Sequence, residues 1–266
     1  MNRRILVGTG CFAHVWCVID AKGNKIAEKR YYHTDTITNP QIEYKNRLSL
    51  RYKDIEGIVT YHKVTSRAIH MDYYPDTLKS LLTRCRGDAN KNFRLGLFSR
   101  IAHQLLSGLI VIHNNSCCHA DIAPKNILID ISNVDNGNIN KVEVKAVIAD
   151  FGSMIKLDSD HHTIKRTDSK NKAKLRGATT EKPHSTHMYA SPEVRNIRFC
   201  YTTVSDVYSL GLCLIEFLFD MNESELENIR VNPHHLAKCK YTNLLQKMIE
   251  YDYTKRLSPC YILDLL

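Results

Sequence analysis

The chain has 266 residues, 43% hydrophobic and 24% charged, which is enough apolar material for one large domain or two small lobes. It contains no run of eighteen apolar residues. The N-terminal "MNRRILVGTGCF" reaches its glycines too early for a secretion signal, so an intracellular protein without a membrane partner is expected, in cytoplasm or nucleus. A net charge of +9 points to anionic partners: phosphorylated ligands, acidic substrates or nucleic acid.

The nine cysteines (Cys11, Cys17, Cys85, Cys117, Cys118, Cys200, Cys213, Cys239 and Cys260) are odd in number and lack C-x-x-C spacing. Free, buried thiols in a reducing compartment are expected rather than disulfides or a zinc site. The pairs His161-His162 and His234-His235 have no Cys or carboxylate at ligand spacing and read as solvated loop histidines.

In chain order, "RRILVGTG" and "AHVWCVID" read as strands around a glycine turn, and the Gly-Asn of "AKGNKIAEKR" as a hairpin into a third strand. "NPQIEYKNRLSLRY" carries Ile42, Leu48 and Leu50 among charges and reads as a helix. "GIVTYHKV" and "RAIHMDYY" read as two more strands. After Pro75 the texture becomes helical: "FRLGLFSRIAHQLLSGLIVIHNNS" has apolar residues at helical spacing, and "SDVYSLGLCLIEFLF" is apolar nearly all round. Between them, "NILIDI" and "VKAVIAD" read as short strands joined by a polar loop. The reading is α+β, with a small β-rich lobe over residues 1–72 and a larger helical lobe over 73–266.

"GTGCFAHV" precedes a strand, not a helix, and lacks a terminal G-K-[ST], which argues against a dinucleotide fold and a P-loop. A strand–turn–strand with Gly8 and Gly10 can instead lay backbone N–H groups over phosphates, although many hairpins contain G-x-G. Lys29 can reach back to such phosphates if a carboxylate fixes it, and Glu43 is the natural candidate. The most specific stretch is "HADIAPKNIL", residues 119–128. Asp121 and Asn126 lie five apart, and Asp150-Phe151-Gly152 follows a short apolar strand. Two carboxylates and an amide on adjacent strand ends can hold a divalent cation through hard oxygens. Asp121 can accept a proton from an incoming hydroxyl.

With these residues the chain resembles a protein kinase catalytic domain, whose general pattern is well described. H-R-D-L-x-x-x-N appears as His119 to Asn126, D-F-G is intact at 150–152, and A-P-E appears as Ser191-Pro192-Glu193 after Thr186 and Tyr189. Asp206 and Gly211 match the family's buried aspartate helix, and Arg256 its partner for the A-P-E glutamate.

The resemblance implies a two-lobed fold and transfer of the ATP γ-phosphoryl group to protein Ser/Thr, with Mg²⁺. It implies that Val7, Gly8, Thr9, Gly10, Cys11, Phe12, Ala13, His14 and Val15 cover ATP. Lys29 would contact the phosphates and pair with Glu43, and Asp121 would orient and deprotonate the substrate hydroxyl. Lys125 would sit near the transferred phosphate, Thr186 would bond Asp121, and Asn126 and Asp150 would hold the metal. Met71 resembles the gatekeeper and Asp72, Tyr73 and Tyr74 the hinge, with Val15, Ala27 and Leu128 around the adenine. The residues 150–193 would form the activation segment. No DNA or RNA partner is expected, and a monomer is.

Four positions depart from the family pattern. Ala13 replaces the third glycine of the loop. Ala120 replaces the arginine that receives a phosphorylated activation loop, which implies activity independent of that phosphorylation. Ala123 replaces the usual lysine of Ser/Thr kinases, while Lys125 stands where tyrosine kinases carry a basic residue; "STHMYASPE" nevertheless resembles the Ser/Thr form. Arg47 stands one turn after Glu43 where the family has an apolar residue, leaving that helix loosely docked or the gap filled by Leu48. The missing arginine and "DIAPKN" also resemble herpesvirus-type protein kinases. Residues 156–182 hold eight Lys/Arg against four Asp/Glu and read as a solvated basic loop, or one that recruits acidic substrates or serves nuclear import. Two rival readings remain: a kinase-shaped scaffold without activity, which usually loses one of Lys29, Glu43, Asp121, Asn126 or Asp150, and a small-molecule phosphotransferase, which generally lacks the A-P-E segment.

Overall fold

The computed structural model describes residues 3–33, 39–51, 54–132, 141–157, 164–165, 188–195 and 200–266. Five strands form an antiparallel sheet in the order β1-β2-β3-β5-β4: β1 Arg3–Thr9, β2 Ala13–Ile19, β3 Lys25–Tyr31, β4 Tyr61–Val64 and β5 Ala68–Asp72. The β2–β3 turn closes because Asp20 accepts the N–H groups of Lys22 and Asn24, at 2.8 and 2.9 Å, while Gly23 takes φ +86°. The register sets Val15 opposite Lys29 and Ala27 opposite Met71. Ala27 and Lys29 therefore share one face of the sheet with both of these partners.

Helix α1, Pro40–Leu48, starts where Asn39 accepts the N–H of Gln41 and Pro40 sits in the first turn. Its buried face is not the apolar one. Ile42 and Leu48 are 41% and 48% exposed, whereas Glu43 and Arg47 are buried. Leu48 does not fill a gap against the sheet, and the helix is not loosely docked: Arg47 occupies the space itself and donates Nε to the Val59 carbonyl at 2.8 Å. Leu50, just past the helix, supplies the apolar contact.

The larger lobe follows: β6 Asp76–Thr77, α2 Leu78–Arg84, α3 Lys91–Asn114, β7 Cys117–Cys118, β8 Ile127–Ser132, β9 Glu143–Ile148 and β10 Ile155–Lys156. Then come α4 Pro192–Arg195, α5 Thr203–Phe219, α6 Glu223–Val231, α7 Thr242–Met248 and α8 Pro259–Asp264. Helix α3 is long and apolar enough to cross a membrane by length and composition. Its Leu97, Phe98, Ile101, Leu105, Leu109 and Ile112 form the centre of the core instead, facing the equally buried α5.

The lobes are joined at an unusually close backbone approach. Gly57, at φ +75°, lies against α3 so tightly that a Cβ there would fall 1.8 Å from the Gln104 carbonyl oxygen, and one on Gly108 2.5 Å from the Gly57 oxygen. Only glycine fits. The same segment bonds to the end of β9, with Ile148 N–H on the Gly57 carbonyl at 2.8 Å and Val59 N–H on the Ile148 carbonyl at 3.0 Å. The strand that leads to Asp150 is thereby tied to the segment that leads into β4 at Tyr61.

Candidate active site

Lys29, Glu43 and Asp150 come from a strand, a helix and a loop and meet in one cluster. Lys29 Nζ lies 2.8 Å from Glu43 and 3.0 Å from Asp150. Burial alone would pull the lysine's pKa down, but Asp150 and Glu43 outweigh it and raise it well above the usual value, so the ammonium stays charged. Burial pushes Asp150 the other way, and Lys29 more than compensates, holding that carboxyl below its ordinary range. Asp150 itself sits in the left-handed region at φ 68°, a costly geometry for a non-glycine residue.

The turn 119–126 is built around two anchors. His119 is fully buried; its Nδ1 accepts the Asp121 N–H at 3.3 Å and its Nε2 donates to the Ala149 carbonyl at 3.1 Å. Burial lowers its pKa despite Asp206 and Asp150, which fits this neutral tautomer. Asn126 donates Nδ2 to both the backbone oxygen and the Oδ2 of Asp121, each at 2.8 Å. Asp121 is pushed up to about 7: burial raises it, with Asp150 adding to the rise, against the opposing pull of Lys125 and Asn126. A carboxylate with that pKa is poised for proton transfer near neutrality.

An aromatic column backs the cluster. His119 meets Phe151 edge to face at 5.2 Å between centroids, Phe151 meets Tyr61 at 6.2 Å, and Tyr61 stacks on Tyr44 at 6.3 Å. Helix α1 reaches the same loop through Asn46, whose Nδ2 donates to the Phe151 carbonyl at 2.8 Å.

Around the cleft, Ala13 and Ala27 are buried, Val15 and Leu128 partly so, and Met71 lies buried beside Ala27. Val7 and Phe12 are exposed, as are Thr9, Gly10 and Cys11, while Gly8 is partly buried. Asp72, Tyr73 and Tyr74 leave the sheet toward β6; Lys25 lies over the Tyr73 ring and Lys145 over that of Tyr74. The turn between β1 and β2 is pinned from outside by Tyr32, which donates Oη to the Gly10 carbonyl at 3.0 Å and meets the ring of His14 edge to face. Sequence reasoning missed Tyr32. It also missed Tyr31 and Tyr61, whose hydroxyls both donate to Glu43. The spacing of Tyr31, two residues past Lys29 on a strand, was a usable signal. Tyr61 carried none.

Comparison with known proteins agrees with this geometry. The family model described as "Protein kinase domain" matches residues 2–265. The chain belongs to the protein kinase family. Similar relatives include a probable serine/threonine-protein kinase, glkA, of Dictyostelium discoideum, 26% identical over 80% of this chain and 38% of its own length. The glycogen synthase kinase-3 homolog YGK3 of Saccharomyces cerevisiae is 29% identical over 60% of this chain and 37% of its own. The human dual specificity protein kinase CLK1 is 28% identical over 47% of this chain and 23% of its own. The chain thus spans well under half the length of these relatives.

Other family positions in this kinase domain are also bonded. Arg256 grips Glu193 through two parallel bonds, at 2.8 and 3.1 Å, and its guanidinium lies over the Tyr208 ring. Asp206 accepts the N–H groups of His119 and Ala120 and bonds His113. Gly211 is required by packing, since a Cβ would meet Met248 at 2.8 Å. Thr186 and nearly all of the basic segment 156–182 lie outside the described residues. Among those described, eight cysteines are free, and no group of three His, Cys, Asp or Glu side chains could hold a metal alone.

Proposed function

We propose that this kinase domain transfers the γ-phosphoryl group of ATP to serine and threonine hydroxyls of protein substrates. One observation carries the reading: Lys29 is held between Glu43 and Asp150 while Asn126 fixes Asp121 on the other side of the same site. A lysine buried and kept charged by two carboxylates is suited to bind phosphate oxygens as a point charge. Val7 to Val15 would lie over the nucleotide, Val15, Ala27 and Leu128 around its base, and Met71 to Tyr74 along its edge.

The donor set fits Mg²⁺. Asn126 commits its amide nitrogen to Asp121, leaving its oxygen as a hard donor, and Asp150 has a carboxylate oxygen beyond the one that meets Lys29. These ligands are too few to hold the cation alone, so phosphate oxygens would complete its shell. Bound there, the ion would neutralise charge on the phosphates. Asp121 accepts the substrate hydroxyl proton as the oxygen attacks phosphorus and ADP leaves, and Lys125 lies close enough to lower its pKa. Thr186 would steady Asp121 from the substrate side.

Serine/threonine preference rests on "STHMYASPE" and on relatives described as serine/threonine kinases. The net charge of +9 and the basic segment favour acidic proteins as substrates, and free thiols favour a reducing compartment such as cytoplasm or nucleus. The test is incubation with labelled ATP, Mg²⁺ and a peptide array, followed by phosphoamino-acid analysis, with wild type beside Asp121→Asn. Label on serine or threonine that disappears in the variant supports the proposal. Equal labelling by both, or none by the wild type, overturns it.

A further inference from the structure

Glu43 is buried, and its carboxylate meets more donors than a single lysine. Lys29 Nζ and the Tyr31 hydroxyl both reach Oε2, and the Tyr61 hydroxyl reaches Oε1. Tyr31 lies on β3 and Tyr61 on β4, so two strands of the sheet hold both oxygens of a side chain that belongs to α1. We propose that Tyr31 and Tyr61 are positioning residues, a hydroxyl latch that keeps α1 and Glu43 in working position with or without the lysine. This deepens the proposed phosphotransfer and rests on that reading.

The physical need is plain. A buried carboxylate requires strong compensation, and Lys29 cannot give all of it, because it also meets Asp150 and would be shared with phosphates once ATP binds. A helix held by that lysine alone would loosen just when the nucleotide arrives. Two neutral donors remove the conflict. Burial raises the pKa of Tyr31, and Glu43 adds to it although Lys29 opposes; for Tyr61, burial, Glu43 and Asp150 all act upward. Both phenols therefore remain protonated and able to donate.

The rest of the helix is tied at neighbouring points. Asn46 bonds the Phe151 carbonyl, and Arg47 bonds the Val59 carbonyl two residues before Tyr61. The ring of Tyr61 belongs to the aromatic column, so its hydroxyl and its ring do separate jobs. Replacement by phenylalanine keeps the ring and removes only the latch.

The experiment compares wild type, Tyr31→Phe, Tyr61→Phe, the double Tyr→Phe variant and Lys29→Met. Activity is measured well below each melting temperature, beside hydrogen exchange of the amides 43–48. Each hydroxyl donates to a charged group, so the double variant should lose about tenfold or more in kcat, with KM for the peptide unchanged, and its α1 amides should exchange about tenfold faster. Lys29→Met should leave those amides protected. A double variant with wild-type kcat and protection overturns the latch, and so does deprotection of α1 by Lys29→Met alone. An inactive wild type with the expected exchange pattern overturns the phosphotransfer reading and leaves the latch standing. If the double variant does not fold, each single variant supplies the same comparison.

Discussion

Ala120 sits at φ 63° with its N–H bonded to Asp206 Oδ1 at 3.0 Å. A left-handed alanine is uphill, and what holds it is a carboxylate 86 residues further along the chain, in the first turn of α5. The other Asp206 oxygen takes the His119 N–H at 2.8 Å and His113 Nε2 at 3.0 Å. The turn that presents Asp121 is therefore shaped from behind by a residue that never enters the site. Asp206→Ala should strand three donors and cost about 3 kcal/mol or more in unfolding free energy. Urea denaturation measures this, and a loss below about 1 kcal/mol contradicts it.

The pH dependence of turnover should follow Asp121. With its pKa at about 7, kcat/KM should fall about tenfold per pH unit below neutrality, as protonation removes the base. Stability runs the opposite way. The folded carboxyl resists ionisation that the unfolded chain allows from its ordinary 3.8, so folding loses free energy as pH rises from there and levels off above about 7. Asp121→Asn should thus raise the melting temperature at pH 8 by more than it does at pH 5. An equal shift at both values rules out the raised pKa.

The strands, the two long helices and the turn with Asp121 and Asn126 were legible in the sequence, because turn residues, helical periodicity and a short separation carry them. The docking face of α1 was not. Its apolar residues Ile42 and Leu48 point to solvent while Glu43 and Arg47 go inside, since their partners lie on β3, on β4 and at Val59. Hydrophobic pattern assumes burial by apolar surface. Here it is achieved by hydrogen bonds whose other halves are distant in sequence. The Gly57–Gly108 approach was hidden for the same reason, since a lone glycine does not announce what it lies against.

Glu193 and Arg256 should behave as one unit. Arg256 is buried, stacks on Tyr208 and also bonds the Val204 carbonyl, while Ser205 donates to Glu193 at 2.8 Å. Burial raises the glutamate's pKa, and Arg256 more than reverses it, so the carboxylate lies below its ordinary value. The stability it contributes is present above the unfolded value and is lost as pH falls through the folded one. Arg256→Ala should cost about 3–5 kcal/mol, because it leaves a buried charge alone. Arg256→Lys should recover little, lacking the planar fork. A lysine variant as stable as wild type would show that only the charge matters.

Activity should not require phosphate on the segment 150–193. An arginine at position 120 would supply the guanidinium that receives such a phosphate, and this chain has a methyl group there. The ordering that a phosphate would impose on α1 is already present in the bonds from Tyr31, Tyr61, Phe151 and Val59 to that helix. Changing Thr163, Thr167, Thr179 and Thr180 together to alanine should therefore leave kcat within about twofold, and phosphatase treatment should do the same. If kcat instead collapses in the fourfold variant and glutamate at those positions restores it, a charge on the segment is needed after all. Some other cation would then have to receive it, and the nearby lysines and arginines of 165–176 would be the first to replace.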